Sequence, residues 1–277
     1  MSLIESTFDL NDVKLISVID DLPLWSAPFG LKLLDTIDLK PNLNVLDIGS
    51  GMGFPIIELS QRLGNSCNVF GIDPWNTATD RAKLKMNIWG ITNLRFIEGK
   101  AELLPFENNY FDLIISNNGT NNVDDEEKVF SEISRTTKSG AQMVITVNLP
   151  ETMIEFYNVY EKVLKENNKI DEVEKLQSHI HSKRKPLSSV KELIENAGFE
   201  INEIFEDSFS FRYLDGSTMF NHFIIRLAFM ESWRNILNQN DRKRIFDKIE
   251  IELNKIAEVQ KELSLTIPWV CINSRKK

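Results

Sequence analysis

The chain has 277 residues and a mass of 31.9 kDa, 42% of its residues are hydrophobic and 26% charged, and its formal charge is -9 with a pI near 5.1. Such a composition excludes collagen, coiled-coil and disulfide-scaffold classes, and the acidic balance argues against nucleic acid as a bulk polyanionic partner. Two cysteines, Cys67 and Cys271, are too few for a disulfide framework or a structural zinc site, so a cytoplasmic protein without a metal is expected. Met1 to Asp12 has neither the basic start nor the apolar run of a secretory signal, and Met219 to Met230 is too short and too polar to span a membrane.

From Leu43 to Val147 short β-branched runs alternate with amphipathic stretches, the pattern of βαβ units in a mostly parallel sheet. Strands are expected at Asn44–Ile48, Asn68–Ile72, Leu94–Ile97, Phe111–Ser116 and Ala141–Val147, with helices at Pro55–Leu63, Thr77–Trp89 and Asp124–Thr136. Pro150 to Lys185 reads as a helical block, and Ser189 to Glu192 fits a capping box opening a helix that stops at Ala197-Gly198. A strand from Phe199 to Tyr213, one helix from Thr218 to Asn238, a second from Asp241 to Glu262 and a last strand from Leu265 to Ile272 complete the chain. The fold expected is α/β, a Rossmann-like three-layer sandwich with a mostly parallel central sheet and helical insertions. The expected organisation is a single domain, 1–277. Its core is 40–150, 187–215 and 265–272, and helical cap segments at 1–38, 150–186 and 216–262 form a substrate lid.

The chemistry concentrates in Val45-Leu46-Asp47-Ile48-Gly49-Ser50-Gly51-Met52-Gly53, a buried strand ending in an acid and a glycine-rich turn. Glycines there let a ligand lie against bare backbone. In a dinucleotide fingerprint the third glycine follows the second by three residues; Gly53 follows Gly51 by two, which argues for a nucleoside ligand without phosphates. Twenty residues beyond Gly53, at the end of the second strand in Phe70-Gly71-Ile72-Asp73-Pro74-Trp75, Asp73 can accept hydrogen bonds from two vicinal ribose hydroxyls. Asn117 and Asn118, in the run Ser116 to Asn122, follow the fourth strand, where open α/β sheets place reacting groups. They read as weak catalytic candidates or as a polar loop of Asx turns.

With Glu98-Gly99-Lys100-Ala101-Glu102 after the third strand, and Asn109 to Ser116 beyond it, three segments match in order and spacing. Over roughly Pro41 to Leu149 the sequence resembles the class I S-adenosylmethionine-dependent methyltransferases, most closely the ubiquinone and menaquinone biosynthesis branch. The resemblance implies S-adenosylmethionine as cofactor, S-adenosylhomocysteine as product, and a cofactor site of Asp47, Gly49, Ser50, Gly51, Gly53, Asp73, Pro74, Trp75, Lys100, Ala101, Glu102 and Asn117. Within it Asp47 lies near the ammonium group, the glycines against the methionine portion, Asp73 on the ribose, and Trp75 and Ala101 at the adenine. The family carries an acid where this chain has Lys100, which has no acceptor to offer the adenine amino group; Glu102 stands as a substitute.

The activity expected is in-line methyl transfer to a small-molecule, hydrophobic acceptor. Two alternatives stay open: a catalytically inactive nucleoside-binding relative, kept open by Lys100, and an NAD-dependent oxidoreductase, which the glycine spacing disfavours. Trp25, Ser26 and Phe29 are candidates for a lid over the cofactor or for helix-to-sheet packing. His222, between Phe220 and Phe223, is a candidate base or a core histidine; His179 and His181 are a poor metal pair. The aromatic series Phe205, Phe209, Phe211, Tyr213, Phe220, Phe223, Phe229 and Trp233 could line an acceptor pocket, form plain core, or make a homodimer face.

Overall fold

The computed structural model describes residues 8–9, 11–19 and 24–277. The rest of the amino-terminal cap segment expected from the sequence lies outside the described residues. The chain divides into two compact units, each with its own interior. The sheet unit is drawn from Leu10–Leu149, Lys185–Asp207 and Trp269–Lys277, and the helical unit from Met1–Asp9, Pro150–Arg184 and Ser208–Pro268.

In chain order the sheet unit carries α1 (Val13–Ile19), α2 (Ala27–Thr36), β1 (Asn44–Ile48), α3 (Ile56–Leu63), β2 (Asn68–Asp73), α4 (Asn76–Ile88), β3 (Leu94–Glu98), β4 (Phe111–Asn117), α5 (Glu126–Thr136) and β5 (Thr137–Asn148). The helical unit supplies α6 (Ile154–Glu166) and α7 (Ile170–Lys183), after which α8 (Leu187–Asn196) returns to the sheet unit. β6 (Phe199–Tyr213) follows, then α9 (Gly216–Asn221), α10 (Phe223–Ala228), α11 (Met230–Arg234) and α12 (Gln239–Gln260) of the helical unit, and β7 (Leu263–Lys276) ends the chain. The strands form one seven-stranded sheet in the order β3-β2-β1-β4-β5-β7-β6. The pairs β1–β2, β1–β4, β2–β3 and β4–β5 are parallel; β7 lies antiparallel to β5, from Gln142 against Arg275 to Asn148 against Trp269. The expected Rossmann-like, mostly parallel sandwich is the observed one.

Residues two apart on each strand build the core. Leu46 and Ile48 of β1, Phe70 and Ile72 of β2, Met143, Ile145 and Val147 of β5 and Val270 and Ile272 of β7 share one cluster with Val129, Phe130 and Ile133 of α5 and Val190 and Ile194 of α8. That period of two makes one face of the sheet apolar. Asp47 and Gly71, which are partners in register, fall on the alternate positions and so on the other face. Helix α2 packs on β4 and β5 through Phe29, Leu33 and Leu34, all buried. Residues 27–36, grouped with the caps from the sequence, are therefore a layer of the sandwich.

Three boundaries differ from the sequence reading. Helix α8 starts at Leu187 behind Pro186, whose ring fixes φ at -56°, so Ser189 lies inside the first turn and gives its N–H to the Pro186 carbonyl (3.0 Å). The expected helix from Thr218 to Asn238 is three short helices. Asp215 caps the first by accepting from Thr218 N (2.7 Å), His222 is extended (ψ 133°) and Phe229 is off the helical region (φ -124°). Asn221, His222 and Phe229 have weak helix propensity, and burying Met219, Phe220, Ile225, Met230 and Trp233 outweighs continuity. The block from Pro150 to Lys185 is two helices, separated by Asn168 in the left-handed region (φ 54°).

Inside the helical unit Trp233, fully buried, stacks on Phe156 (centroids 3.9 Å, 25°), and Phe220 meets both Phe156 and Phe246 edge-on. Helix α12 contributes Ile245, Phe246, Ile249, Leu253 and Ala257, a stripe mostly four residues apart. Among the described residues no helix is long and apolar enough to cross a membrane.

Candidate cofactor site

The site grows from the carboxyl end of β1, the sheet's central position for crossover on either side. Strand β2 leaves β1 in one direction and β4 in the other, which is the crevice where open α/β sheets take ligands. The turn after β1 is anchored by Gly49 N and Ser50 N, which both donate to the Ile72 carbonyl (3.0 and 3.2 Å), and is closed by Gly53 N to Ser50 O (2.8 Å). All three glycines have positive φ: 78°, 47° and 96°. Their surroundings differ. A Cβ at Gly49 would sit 2.7 Å from the Gly119 Cα, and one at Gly53 would sit 2.3 Å from the Ile57 Cδ1, but a Cβ at Gly51 would meet nothing within 4 Å. Gly49 and Gly53 are therefore required by packing, whereas Gly51 presents bare backbone to open space.

Asp47 is fully buried, and neither carboxylate oxygen has a hydrogen-bond partner among the described residues. Burial, and then the charge of Asp73, push its pKa well above the ordinary carboxylate range. Asp73 is nearly buried; its Oδ2 accepts from Gly51 N (2.8 Å) and its Oδ1 from Trp75 N (2.8 Å). Burial raises its pKa too, and those two backbone N–H groups act the other way. The same carboxylate thus fixes the glycine turn and the start of the segment leading to α4, and lone pairs on each oxygen remain for a ligand's hydroxyls. Ser50, whose buried Oγ has no partner, stands over Gly71, where any side chain would meet its Cβ at 2.8 Å.

A buried acid without a cation, a bare backbone cradle and a second acid on the neighbouring strand fit a nucleoside bearing an ammonium group. Asp47 would hold that ammonium, Gly51 would lie against the adjoining chain, and Asp73 would take the ribose. Pro74 is exposed, Trp75 half-buried and Ala101 buried. Lys100 is exposed and its Nζ pairs with Asp124 (2.8 Å), while Glu102 Oε1 accepts from Asp124 N (2.9 Å) and Asp125 N (3.4 Å). Both side chains are thus engaged with the entry to α5, where Asp125 caps the helix by accepting from Lys128 N (2.9 Å). Glu132, buried on α5, accepts from Leu104 N (2.9 Å) and pairs with Arg135, which donates to the carbonyls of Phe106 and Leu104; that pairing lowers the Glu132 pKa.

The loop after β4 closes the site. Asn117 accepts from Thr146 Oγ1 (2.9 Å) and gives its amide to the Ser26 carbonyl (3.2 Å), so its side chain fixes the start of α2. Asn118, left-handed (φ 59°) and buried, accepts from Asn148 N (3.0 Å), but its amide nitrogen has no partner among the described residues. Gly119 was not singled out from the sequence, yet a Cβ there would lie 2.1 Å from the Ile48 carbonyl and 3.0 Å from the Gly49 Cα. The β1 and β4 loops touch backbone to backbone at that point. The signal available was a lone glycine inside a run of asparagines. Ser116 joins the same contact, donating to Ile48 O (2.8 Å) and accepting from Thr120 N (3.2 Å).

Of the remaining candidates, Phe29 is fully buried and meets Trp25 and Trp269 edge-on (5.7 and 5.3 Å), so it is core of the sheet unit. The aromatic series does not form one stripe. Phe205 belongs to the sheet unit, beside Trp269, and the others to the helical unit. His222 also lies in the helical unit, and His179 stands against the Tyr157 ring there.

The strand order, with β7 antiparallel to β5, and the acid–glycine turn at the switch point define a class I methyltransferase fold. The chain belongs to the methyltransferase domain family, whose model matches residues 39–208. It is similar to the demethylmenaquinone methyltransferases of Lactococcus lactis, 32% identical over 121 residues, and of Bacillus cereus, 30% identical over 124 residues. Those matches cover 44% and 45% of this chain and 46% and 52% of the relatives, so the chain spans about half the length of the curated relatives it matches. Its fold resembles the crystal structure of the YcgJ protein from Bacillus subtilis, with TM-score 0.59 and 16% identity over 91% of this chain and 99% of that one. It also resembles a geranyl diphosphate methyltransferase solved with GPP and sinefungin, with TM-score 0.55 and 14% identity over 91% of this chain and 78% of that one.

Proposed function

We propose that the protein is a cytoplasmic S-adenosylmethionine-dependent methyltransferase acting on a small, largely apolar acceptor and releasing S-adenosylhomocysteine. The observation that carries the reading is Asp47: a carboxylate with no exposure and no hydrogen-bond partner among the described residues is costly to bury, and a cationic ligand group would offset that cost. When bound, the cofactor supplies a methyl carbon on a positively charged sulfur, open to in-line displacement by an acceptor lone pair or carbanion. The chain's own work is positioning. Asp47 and Asp73 hold the two ends of the nucleoside amino acid, Gly51 admits it close to the backbone, and the walls keep water from the reacting atoms. Displacement on a sulfonium needs no covalent intermediate on the protein, which suits a site without a nucleophile–base pair.

Calorimetric titration with S-adenosylmethionine, S-adenosylhomocysteine and NADH tests this in the wild type and in Asp73→Ala. Binding of the two sulfur nucleosides alone, weakened at least tenfold by the substitution, is the expected result. Binding of NADH instead would overturn it. Tight cofactor binding with no methyl transfer to any of a panel of phenols, amines and carbon acids would favour the inactive nucleoside-binding alternative.

A further inference from the structure

The Tyr213 hydroxyl and the His222 Nδ1 of the helical unit are buried and have no hydrogen-bond partner among the described residues. The two rings meet edge to face, with centroids 5.2 Å apart at 66°. Tyr213 ends β6 and is 8% exposed; His222 is the extended residue that separates α9 from α10. Aromatic rings continue from both sides, with Phe211 edge-on to Tyr213 (6.5 Å) and Phe8 edge-on to Phe223 (5.3 Å). Leaving a buried donor or acceptor unsatisfied costs about 1–3 kcal/mol each, so two on adjoining rings require an explanation in terms of what they bind.

We infer that Tyr213 and His222 together form a recognition site for the hydroxyl group of an aromatic small molecule. With the imidazole proton on Nε2 a hydroxyl answers both: its oxygen accepts the Tyr213 O–H and its proton goes to the His222 Nδ1, with the surrounding rings taking the apolar body. Burial holds the His222 pKa below its ordinary value, so the imidazole is neutral at pH 7 and able to accept. An ammonium would leave the phenol without an acceptor, and a carboxylate would need the imidazole proton on Nδ1 rather than Nε2.

The test uses the full chain, with 1-naphthol and naphthalene as probes, followed by calorimetry and by the His222 ring resonances in NMR. Expected are 1-naphthol binding at least tenfold tighter than naphthalene and a shift of the His222 resonances. Tyr213→Phe should lose about tenfold in 1-naphthol affinity, the worth of one net hydrogen bond, while His222→Asn, which keeps an acceptor near the Nδ1 position, should bind within about threefold of wild type. Tyr213→Phe should melt at or above the wild-type temperature, because it deletes an unsatisfied group. The inference is overturned if 1-naphthol fails to bind, if Tyr213→Phe leaves its affinity unchanged, or if that variant melts several degrees lower, which would mean a structural partner for the hydroxyl. S-adenosylhomocysteine titrated into the same proteins reads the nucleoside site separately, and its affinity is expected to be unchanged in both variants.

Discussion

Gly51→Ala separates the structural from the binding role of the glycine turn, because the three turn glycines face different surroundings. At Gly51 the added methyl meets nothing within 4 Å, and φ is 47°, inside the left-handed region. The cost to stability is therefore only the left-handed penalty of an L-residue, about 1–2 kcal/mol. An unfolding entropy of about 2.1 cal/mol/K per residue gives about 0.6 kcal/mol/K for a chain of 277 residues, so Tm should fall by about 2 to 3 °C. Gly53→Ala adds to that penalty a 2.3 Å approach to Ile57, and Gly49→Ala a 2.7 Å approach to backbone at Gly119, each costing about 1–3 kcal/mol more. Their Tm values should fall by about 3 to 8 °C. Binding should follow the opposite order of interest. The Gly51 methyl occupies the surface where the ligand would touch backbone, so S-adenosylhomocysteine affinity should drop at least about 30-fold in Gly51→Ala, or about 2 kcal/mol. Calorimetric titration beside a thermal melt measures both quantities. An unchanged affinity within threefold, or a melting loss as large as that of Gly49→Ala, would refute the assignment of Gly51 to the ligand.

Asp47→Asn should raise the stability of the ligand-free protein and abolish tight cofactor binding. The Asp47 pKa is raised in the fold, so wild-type stability is fullest below the ordinary carboxylate pKa of 3.8 and is lost as pH rises through the raised value; the Tm advantage of Asn should grow from pH 4 upward, as thermal melts across pH would show. Glu132→Gln should cost about 1–3 kcal/mol at pH 7 by weakening the link from α5 to the loop after β3. The Glu132 pKa is lowered, so that cost should shrink as pH falls below about 4.5, in urea titrations at pH 7 and pH 4. Trp233→Ala removes the ring stacked on Phe156 and the donor to Tyr157 Oη (3.0 Å), and should cost about 3–5 kcal/mol, or about 5 to 9 °C by circular dichroism.

What the sequence carried well was the part built from local pattern. The runs at Asn44–Ile48 and Asn68–Ile72 are strands because short, mostly apolar runs with β-branched residues need burial on both faces, and Asp47, Gly49, Gly51, Gly53 and Asp73 come together because consecutive parallel strands put their carboxyl ends at one edge. What it did not carry depends on distant partners. Nothing near Thr218 to Asn238 breaks the helical period, and the breaks arise from seating Phe220 against Phe156 and Trp233 on the same ring. The Gly49–Gly119 contact joins loops seventy residues apart and is invisible to any window along the chain. Glu102 looked like an adenine acceptor by position, but whether its Oε1 was already committed depended on where α5 begins.

The buried polar atoms sort by the same reasoning. Thr136 and Thr137 bond carbonyls one turn back, Ser116 bonds Ile48, and Gln142 bonds Thr36 and Asn273, so burial of polar groups in the frame of the sheet is matched by partners. Asp47, Ser50 and Asn118 break that pattern together, at the carboxyl ends of β1 and β4, where the crossover connections diverge. Among the described residues, a sheet unit that satisfies its other buried polar side chains and leaves three unsatisfied at its ligand crevice holds free energy that binding can release. Asp47→Asn should accordingly trade affinity for stability, whereas Thr137→Val, at a satisfied site in the same sheet, should lower stability and leave affinity untouched. Were both substitutions to lower stability alike, the unpartnered acid would have no more to do with a ligand than the threonine has.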